Sequence, residues 1–388
     1  MTRSRARRSG RAVGAFLAAA VLLGLSATVA RPVPAGADAD PAADRQQLVY
    51  EINRARWSPA LYGADAGLAL GDVAARPPLS VDVALGASAT FKSDEMATHG
   101  YFAHQSTVTG VWPNRLAREH GYPLPDEFPD DANNIESIHT GAAAPGDVLG
   151  SFASSPGHRS HLFGEGWFGT HTEIGVGRSA TANYWAVHTA YRDPGARFLT
   201  GVVYDDADRD RRMDLGEGIA GVTVTVGGRS TVSNAGGGWS LQVEPGKHHV
   251  RVDDPDFGRP AWVTVRVSDW NVGVDFVAGK YRGIAYEYEL CRGLEPTILG
   301  TSGDDVIMGT PGDDVIHGLG GDDRIEGRAG DDVICGGSGD DTLRGGGGDD
   351  VVGGGPGDDT LRGARGWDVL RGGAGADTCW AGESLGSC

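Results

Sequence analysis

Cysteine is scarce in this chain. There are 4 in 388 residues, none of them before Cys291. None is spaced as a paired C-x-x-C, which removes the common pattern of a structural zinc site. Positive charge is also short: 34 Lys and Arg stand against 52 Asp and Glu, for a net charge of −18. That balance argues against nucleic acid as a partner and for divalent cations. Beyond the first 30 residues no apolar run is long enough to span a bilayer. Ser155 precedes Pro156-Gly157-His158 and does not sit in a G-x-S-x-G elbow, so a serine-hydrolase reading finds no support there.

The N-terminus reads as a leader. Arg3, Arg5, Arg7, Arg8 and Arg11 precede an apolar run from Ala12 to Ala30, and Ala35-Gly36-Ala37 offers a small-residue cleavage site. This predicts a signal peptide over 1–37 and secretion to the extracellular space. An uncleaved anchor is the alternative. Export permits disulfides. Four cysteines allow three pairings, and Cys291–Cys335 with Cys379–Cys388 would each tie a flank to an end of the region between them.

Glycine and aspartate are abundant and periodic. From Gly303 to Gly375 a glycine recurs every nine residues, and a second glycine column runs from Gly300 to Gly372. Two residues after each glycine of the first column stands Asp305, Asp314, Asp323, Asp332, Asp341, Asp350, Asp359, Asp368 or Asp377. Two further on comes Ile307, Ile316, Ile325, Ile334, Leu343, Val352, Leu361, Leu370 and, in the last unit, Cys379. One apolar residue per nine cannot build a core alone, but stacked units form a continuous aliphatic column. Carboxylates and turn carbonyls are hard oxygen donors, suited to calcium. The pattern resembles the RTX nonapeptide repeat, G-G-x-G-x-D-x-U-x. That resemblance implies a parallel β-roll over 300–379 with calcium held by these nine aspartates, and a cap over 380–388.

The segment 38–43 reads as a linker. Asp44 is expected to cap a helix that buries Leu48, Val49, Ile52 and Ala55. Ser80 is expected to cap a second helix, Val81 to His99. A third should follow Pro113 and a fourth should run near Asp147–Ser154, with Gly63–Ala75 a loop. Strands are expected at Glu173–Arg178 and Tyr184–Arg192, giving an α+β sandwich. Several strings then resemble the CAP domain family (cysteine-rich secretory proteins, antigen 5, pathogenesis-related 1). They are Ile52-Asn53-Arg54, Gly100-Tyr101-Phe102-Ala103-His104, Asn133-Asn134-Ile135, Ser155-Pro156-Gly157-His158-Arg159 and Glu173-Ile174-Gly175-Val176-Gly177.

The resemblance implies a CAP domain over 44–193, with His104 and His158 in its cleft. Asn133 stands where the family usually has an acid, and Glu136, three residues on, is expected to point elsewhere. Two imidazoles can hold zinc, although a hydrolytic zinc site wants a third protein ligand. Alternatively they are hydrogen-bonded cleft residues without metal. His161 and His171 read as part of a Gly-rich loop, Gly164–Gly169, that looks like an insertion, with metal binding there a minor alternative.

Residues 197–278 read as a small β-sandwich, with strands at Phe198–Tyr204, Val222–Val226, Trp239–Val243, His248–Val252 and Trp262–Val267. Asp206, Asp208, Asp210, Asp214 and Glu217 fall at loop positions 1, 3, 5, 9 and 12 of an EF-hand-type calcium loop, with Arg211 where that loop has glycine. A calcium loop between strands resembles the B-type repeats of surface adhesins. The bland alternative is a solvated acidic hairpin. Residues 279–299 read as a linker.

The expected fold class is therefore multidomain: an α+β CAP sandwich, a small β-sandwich and a C-terminal parallel β-roll. The expected function is secreted calcium binding, with a cleft that takes an unidentified lipid, cell-wall or protein ligand. The alternative is a secreted metal-dependent hydrolase acting on peptide or cell wall through His104 and His158.

Overall fold

A computed structural model describes residues 41–388 apart from 72, 210–211, 258, 269, 281–282, 287–290, 293, 295, 302, 381–384 and 388. The leader over 1–37, Asp210 and Cys388 fall outside the described residues.

The first layer is helical. α1 (Pro41–Trp57) and α2 (Pro59–Ala66) are followed by a two-residue strand, β1 (Ser80–Val81), and then α3 (Val83–His99) and α4 (Pro113–Glu119). β2 (Glu136–Thr140), α5 (Pro145–Ala153), α6 (Pro156–Phe163), β3 (Glu173–Arg178) and β4 (Tyr184–Ala190) complete the domain. The sheet order is β1-β3-β4-β2, with β1 parallel to β3 and the other pairs antiparallel.

Two expected caps are corrected. α1 already runs through 41–43, so the linker is shorter than expected and Asp44 lies in the first turn. There Asp44 is buried and forms an ion pair with Arg178 of β3. Ser80 is not a cap either, because it pairs with Glu173 as part of β1. Asp82 caps α3, its carboxylate accepting the Leu85 amide at 2.8 Å. α2 also occupies the start of the stretch expected to be a loop.

Along β3 the side chains alternate in purpose. Ile174 and Val176 join Leu48, Ile52, Leu149, Phe152 and Trp185 in the core on the α1/α5 side. Gly175 and Gly177 face α3, where an added Cβ would lie 2.1 Å from the backbone of Gly86 and of Ala89. Only glycine lets α3 seat this closely.

The middle domain is two four-stranded sheets. It is built from β5 (Arg197–Tyr204), β6 (Thr223–Val226), β7 (Arg229–Val232), β8 (Gly238–Val243), β9 (Gly246–Val252), β10 (Ala261–Val267), β11 (Val272–Val277) and β12 (Ile284–Tyr286). The orders are β10-β9-β6-β7 and β12-β11-β5-β8. Val224, Val250, Val265, Val274, Trp239 and Phe276 fill the space between them. β12 falls inside the stretch expected to be a linker and pairs with β11.

The remainder is a roll of parallel strands from Ile298 to Ser387, in one sheet of six strands and one of five. Partners are 18 residues apart, as in Ile316↔Ile334 and Ile325↔Leu343, so each turn holds two nonapeptides. The single aliphatic column expected from sequence is thus two facing columns, which meet in one core from Ile298 to Leu370.

The parts are joined by specific bonds. Asn271 donates to the carbonyls of Pro78 (3.0 Å) and Thr172 (2.8 Å), tying the sandwich to the first domain. Trp57 Nε1 donates to Gly300 O at 3.0 Å, and Ala60 of α2 packs on the first rung of the roll. A disulfide joins Cys291 to Cys335, with Cα atoms 5.8 Å apart. Cys379 is disulfide-bonded as well.

Candidate functional site

The roll presents its aspartates in two ladders. On the inner ladder each amide is held by the carboxylate one turn ahead: Asp323 N donates to Asp341 Oδ1 (2.8 Å) and Asp332 N to Asp350 Oδ1 (3.0 Å). On the outer ladder the direction reverses, with Asp340 N donating to Asp322 Oδ1 at 2.9 Å. Each inner carboxylate therefore spends one oxygen on the neighbouring turn.

The other oxygen is unspent in the middle of the array. Oδ2 of Asp323, Asp332, Asp341, Asp350, Asp359 and Asp368 is buried without a hydrogen-bond partner. A buried, unsatisfied carboxylate oxygen is costly. Burial and the neighbouring aspartates push the carboxyls of Asp323 and Asp332 up to about 7. The same causes raise Asp341 and Asp350 to about 6.

Glycine shapes the space in front of each oxygen. A Cβ on Gly336 would sit 2.2 Å from Asp341 Oδ2 and 2.9 Å from Gly354 O. Carboxylate and carbonyl oxygens thus converge on one glycine-lined spot, a donor set that fits calcium. When bound there, calcium supplies the positive charge that buried carboxylates on successive turns lack.

The ends differ. Asp305 Oδ2 accepts the amide and hydroxyl of Thr301 (2.6 and 3.0 Å), and Asp314 Oδ2 those of Thr310 (2.7 and 3.1 Å). At these two carboxylates threonine satisfies the oxygen that is left without a partner further along the array. Asp377 is half-buried, and its Oδ1 accepts the Asp359 amide at 3.0 Å.

The acidic loop of the middle domain is closed on its own backbone. Glu217 Oε1 accepts the Ala207 amide and Oε2 the Asp214 amide, both at 2.9 Å. Asp206, Asp208 and Asp214 lie along that loop. Among the described residues no three His, Cys, Asp or Glu side chains converge as a metal site, in this loop, in the first domain or in the roll.

The histidine cleft has a volume of about 240 Å³ and is lined by both His104 and His158. Its acid is Glu136, contrary to the expectation that this side chain points elsewhere. Asn133 explains the placement, because its Oδ1 accepts the Glu136 amide (2.9 Å) and its Nδ2 donates to Glu136 O (3.1 Å). That turn starts β2 with the Glu136 side chain pointing inward. Glu136 Oε1 then pairs with His104 Nδ1 and Oε2 with His188 Nε2, both at 2.9 Å. A carboxylate accepts only from N–H, so each imidazole carries its proton on that nitrogen. Burial opposes the charge on Glu136, yet the two histidines and Lys92 hold its carboxyl below the ordinary range.

His188, fully buried, escaped the sequence reading. No sequence signal marks it, because its place on β4 directly opposite Glu136 is set only when the strands pair. His161 and His171 lie in the core and not in an inserted loop: His161 bonds Ser137 Oγ and Thr189 Oγ1 (both 2.7 Å), and His171 bonds Thr189 Oγ1 (2.6 Å). Burial drives the His161 imidazole well below its ordinary value and takes His171 to about 3. His158 is lowered by burial and by His104 and His139, and stacks edge-on against Phe152 at 5.1 Å. Among the described residues no third His, Cys, Asp or Glu joins His104 and His158 as a metal set.

Over residues 299–334, 327–361 and 353–383 the chain matches the RTX calcium-binding nonapeptide repeat (4 copies). The chain is also similar to the uncharacterized protein YkwD of Bacillus subtilis (strain 168), 30% identical over 108 residues, which is 28% of this chain and 37% of the relative. The chain thus spans little more than a third of that relative's length. An extracellular protein containing a SCP domain from Bacillus anthracis str. Ames aligns with 38% of this chain and 40% of its own, at 19% identity and a TM-score of 0.25. The C-terminal region of this protein consists of RTX calcium-binding repeats folded as a parallel β-roll.

Proposed function

We propose that this is an exported protein whose CAP-like first domain binds an extracellular ligand, and whose roll is stiffened by calcium once outside the cell. The leader pattern at 1–37 and the Cys291–Cys335 disulfide support export. Calcium abundant outside the cell orders the roll, and the sandwich acts as a spacer. Asp206, Asp208, Asp210, Asp214 and Glu217 form a secondary calcium loop once Glu217 exchanges its backbone amides for the ion.

One observation carries the binding reading over the hydrolytic one. Each oxygen of Glu136 accepts an imidazole N–H, one from His104 and one from His188, so the buried acid serves to orient the imidazoles. The ligand would meet His104 and His158 at the mouth.

The test is metal analysis of the purified mature protein, followed by turnover assays on peptide and cell-wall substrates with zinc added. The reading expects several calcium ions, no stoichiometric transition metal and no turnover. Turnover that zinc restores and His104→Ala abolishes would establish the hydrolase instead.

A further inference from the structure

An unassigned cavity lies where the first domain meets the sandwich. α1 carries two stripes at helical spacing. Leu48, Ile52 and Ala55 enter the core of the first domain. Tyr50, Asn53, Arg54 and Trp57, at i, i+3, i+4 and i+7, form another stripe that meets the sandwich. On β11, Val272, Val274 and Phe276 fill the sandwich core, so Gly273 and Asp275 face the other way. On β5, Leu199 and Val203 enter that core, and Thr200 and Val202 face out. At one end the two faces close, as Tyr50 packs with Val202, Tyr204, Met213 and Val277. Beside it, where Gly273 offers no side chain, a cavity of about 300 Å³ remains.

Rings and hydrocarbon are what this cavity leaves on offer. Trp57 and Tyr62 line it beside Tyr50, and the Trp57 ring nitrogen is tied to Gly300 O. Asn53 spends its amide on Leu79, donating to the carbonyl at 3.0 Å and accepting the N–H at 2.8 Å. The charges are paired too: Arg54 with Glu51 at 3.7 Å, Arg212 with Asp65, and Asp275 through Oδ1, which accepts the Val202 amide at 2.9 Å. The Arg54 guanidinium lies over the rings of Tyr50 and Tyr62, 5.7 and 5.4 Å from their centres, and so fills the place a bound cation would take. Ser58 is the exception. It heads α2 without a side-chain capping bond, although serine there normally makes one. It is 9% exposed, and its Oγ is buried with no hydrogen-bond partner among the described residues. A buried hydroxyl without a partner is costly, and Ser58 lines this cavity.

We infer that this cavity binds an uncharged, flat aromatic molecule carrying one hydroxyl. Its volume is at the small end of the range that takes organic ligands. Trp57 and Tyr62 hold the ligand ring by offset or edge-on stacking. A turn of χ1 between staggered positions brings the Ser58 hydroxyl to that of the ligand and ends its lack of a partner. A charged ligand would give up its water for a wall whose charges are already matched. The bound molecule touches α1 and α2 on one side and β5 and β11 on the other, apart from the cleft of His104 and His158.

The test uses the full chain in calcium, titrated calorimetrically with 2-naphthol. The comparison probes are naphthalene, which lacks the hydroxyl, decahydro-2-naphthol, which lacks the aromatic rings, and 2-naphthoate and 2-naphthylmethylammonium, which carry charge. The inference expects 2-naphthol to bind saturably and naphthalene to bind about threefold or more weakly. The saturated and the charged probes should bind about tenfold more weakly or worse. Ser58→Ala should bind naphthalene as the wild type does, and 2-naphthol no better than naphthalene. That variant removes an oxygen without a partner, and its thermal transition checks that the first domain stays folded. No saturable binding of 2-naphthol, equal or tighter binding of a saturated or charged probe, or an unchanged 2-naphthol affinity in Ser58→Ala would overturn it.

Discussion

Asp341 holds Asp323 one full turn away: its Oδ1 accepts the Asp323 amide at 2.8 Å, while its Oδ2 lies buried without a partner. One carboxylate thus completes the fold with one oxygen and leaves the other to a cation. Stability of the roll and its calcium occupancy are therefore a single property.

The metal-free roll should depend on pH with an unusual sign. Asp323 and Asp332 are raised to about 7, above their ordinary 3.8, so the folded roll binds more protons than the unfolded chain between those values. Stability without calcium is present at low pH and falls as pH rises through that window. Circular dichroism in chelator should show more β signal at pH 5 than at pH 8. Millimolar calcium should reverse the order, and a spectrum unchanged by calcium would refute binding in the tail.

The first domain should respond in the opposite direction. His161 and His171 are buried neutral, with His171 lowered from 6.5 to about 3. A depressed imidazole contributes stability above its unfolded value and loses it as pH falls. In chelator, the thermal transition of the helical signal should weaken below pH 6.5 while the roll strengthens. Parallel behaviour of the two signals would contradict these burial effects.

Position in the array should matter. Asp332→Ala removes the carboxylate that holds the Asp314 amide and leaves a central cradle incomplete, at a cost of about 1–3 kcal/mol. Asp377→Ala acts on the half-buried last rung and should cost less. Asp314→Ala should change the calcium midpoint least of the inner positions, because Thr310 already satisfies that oxygen. Calcium titrations followed by circular dichroism rank the three.

Glu136→Gln should destabilise the first domain by about 1–3 kcal/mol, since two imidazole N–H groups lose a charged acceptor. The carboxyl is held below its ordinary 4.5, so its contribution is present above that pH and lost as pH falls below it. Urea melts at pH 7 and pH 3.5 should show the gap between wild type and variant narrowing at the lower pH.

Reducing the Cys291–Cys335 bond frees a loop of 44 residues. The chain-entropy estimate for that closure is about 4 kcal/mol. Cys335→Ser should lower the calcium-loaded denaturation midpoint of the roll and leave the first-domain transition nearly unchanged.

The roll was legible because its signal repeats. Ile325, Leu343 and Leu361 recur in fixed phase, and errors at one unit are corrected by its neighbours. The strand Glu173–Arg178 was legible for a local reason, as Ile174 and Val176 alternate with glycines. The helix starts were misread because Asp44, Ser80 and Asp82 are all competent caps, and what selects Asp82 is the pairing of Ser80 with Glu173, a strand remote in sequence.

Glu136 shows the same limit at the cleft. Counting residues from Asn133 gives no direction for a side chain. The turn that Asn133 closes, and the strand partner His188 beyond it, set that direction. Sequence alone determined the period, the inward residue of each repeat and the oxygen-rich chemistry suited to calcium, because these depend on neighbours along the chain. Tertiary structure decided that two nonapeptides make one turn, that Thr301 and Thr310 close the first two carboxylates, and that Glu136 faces His104. Those outcomes depend on contacts between residues brought together only when the chain stacks, and no local spacing encodes them.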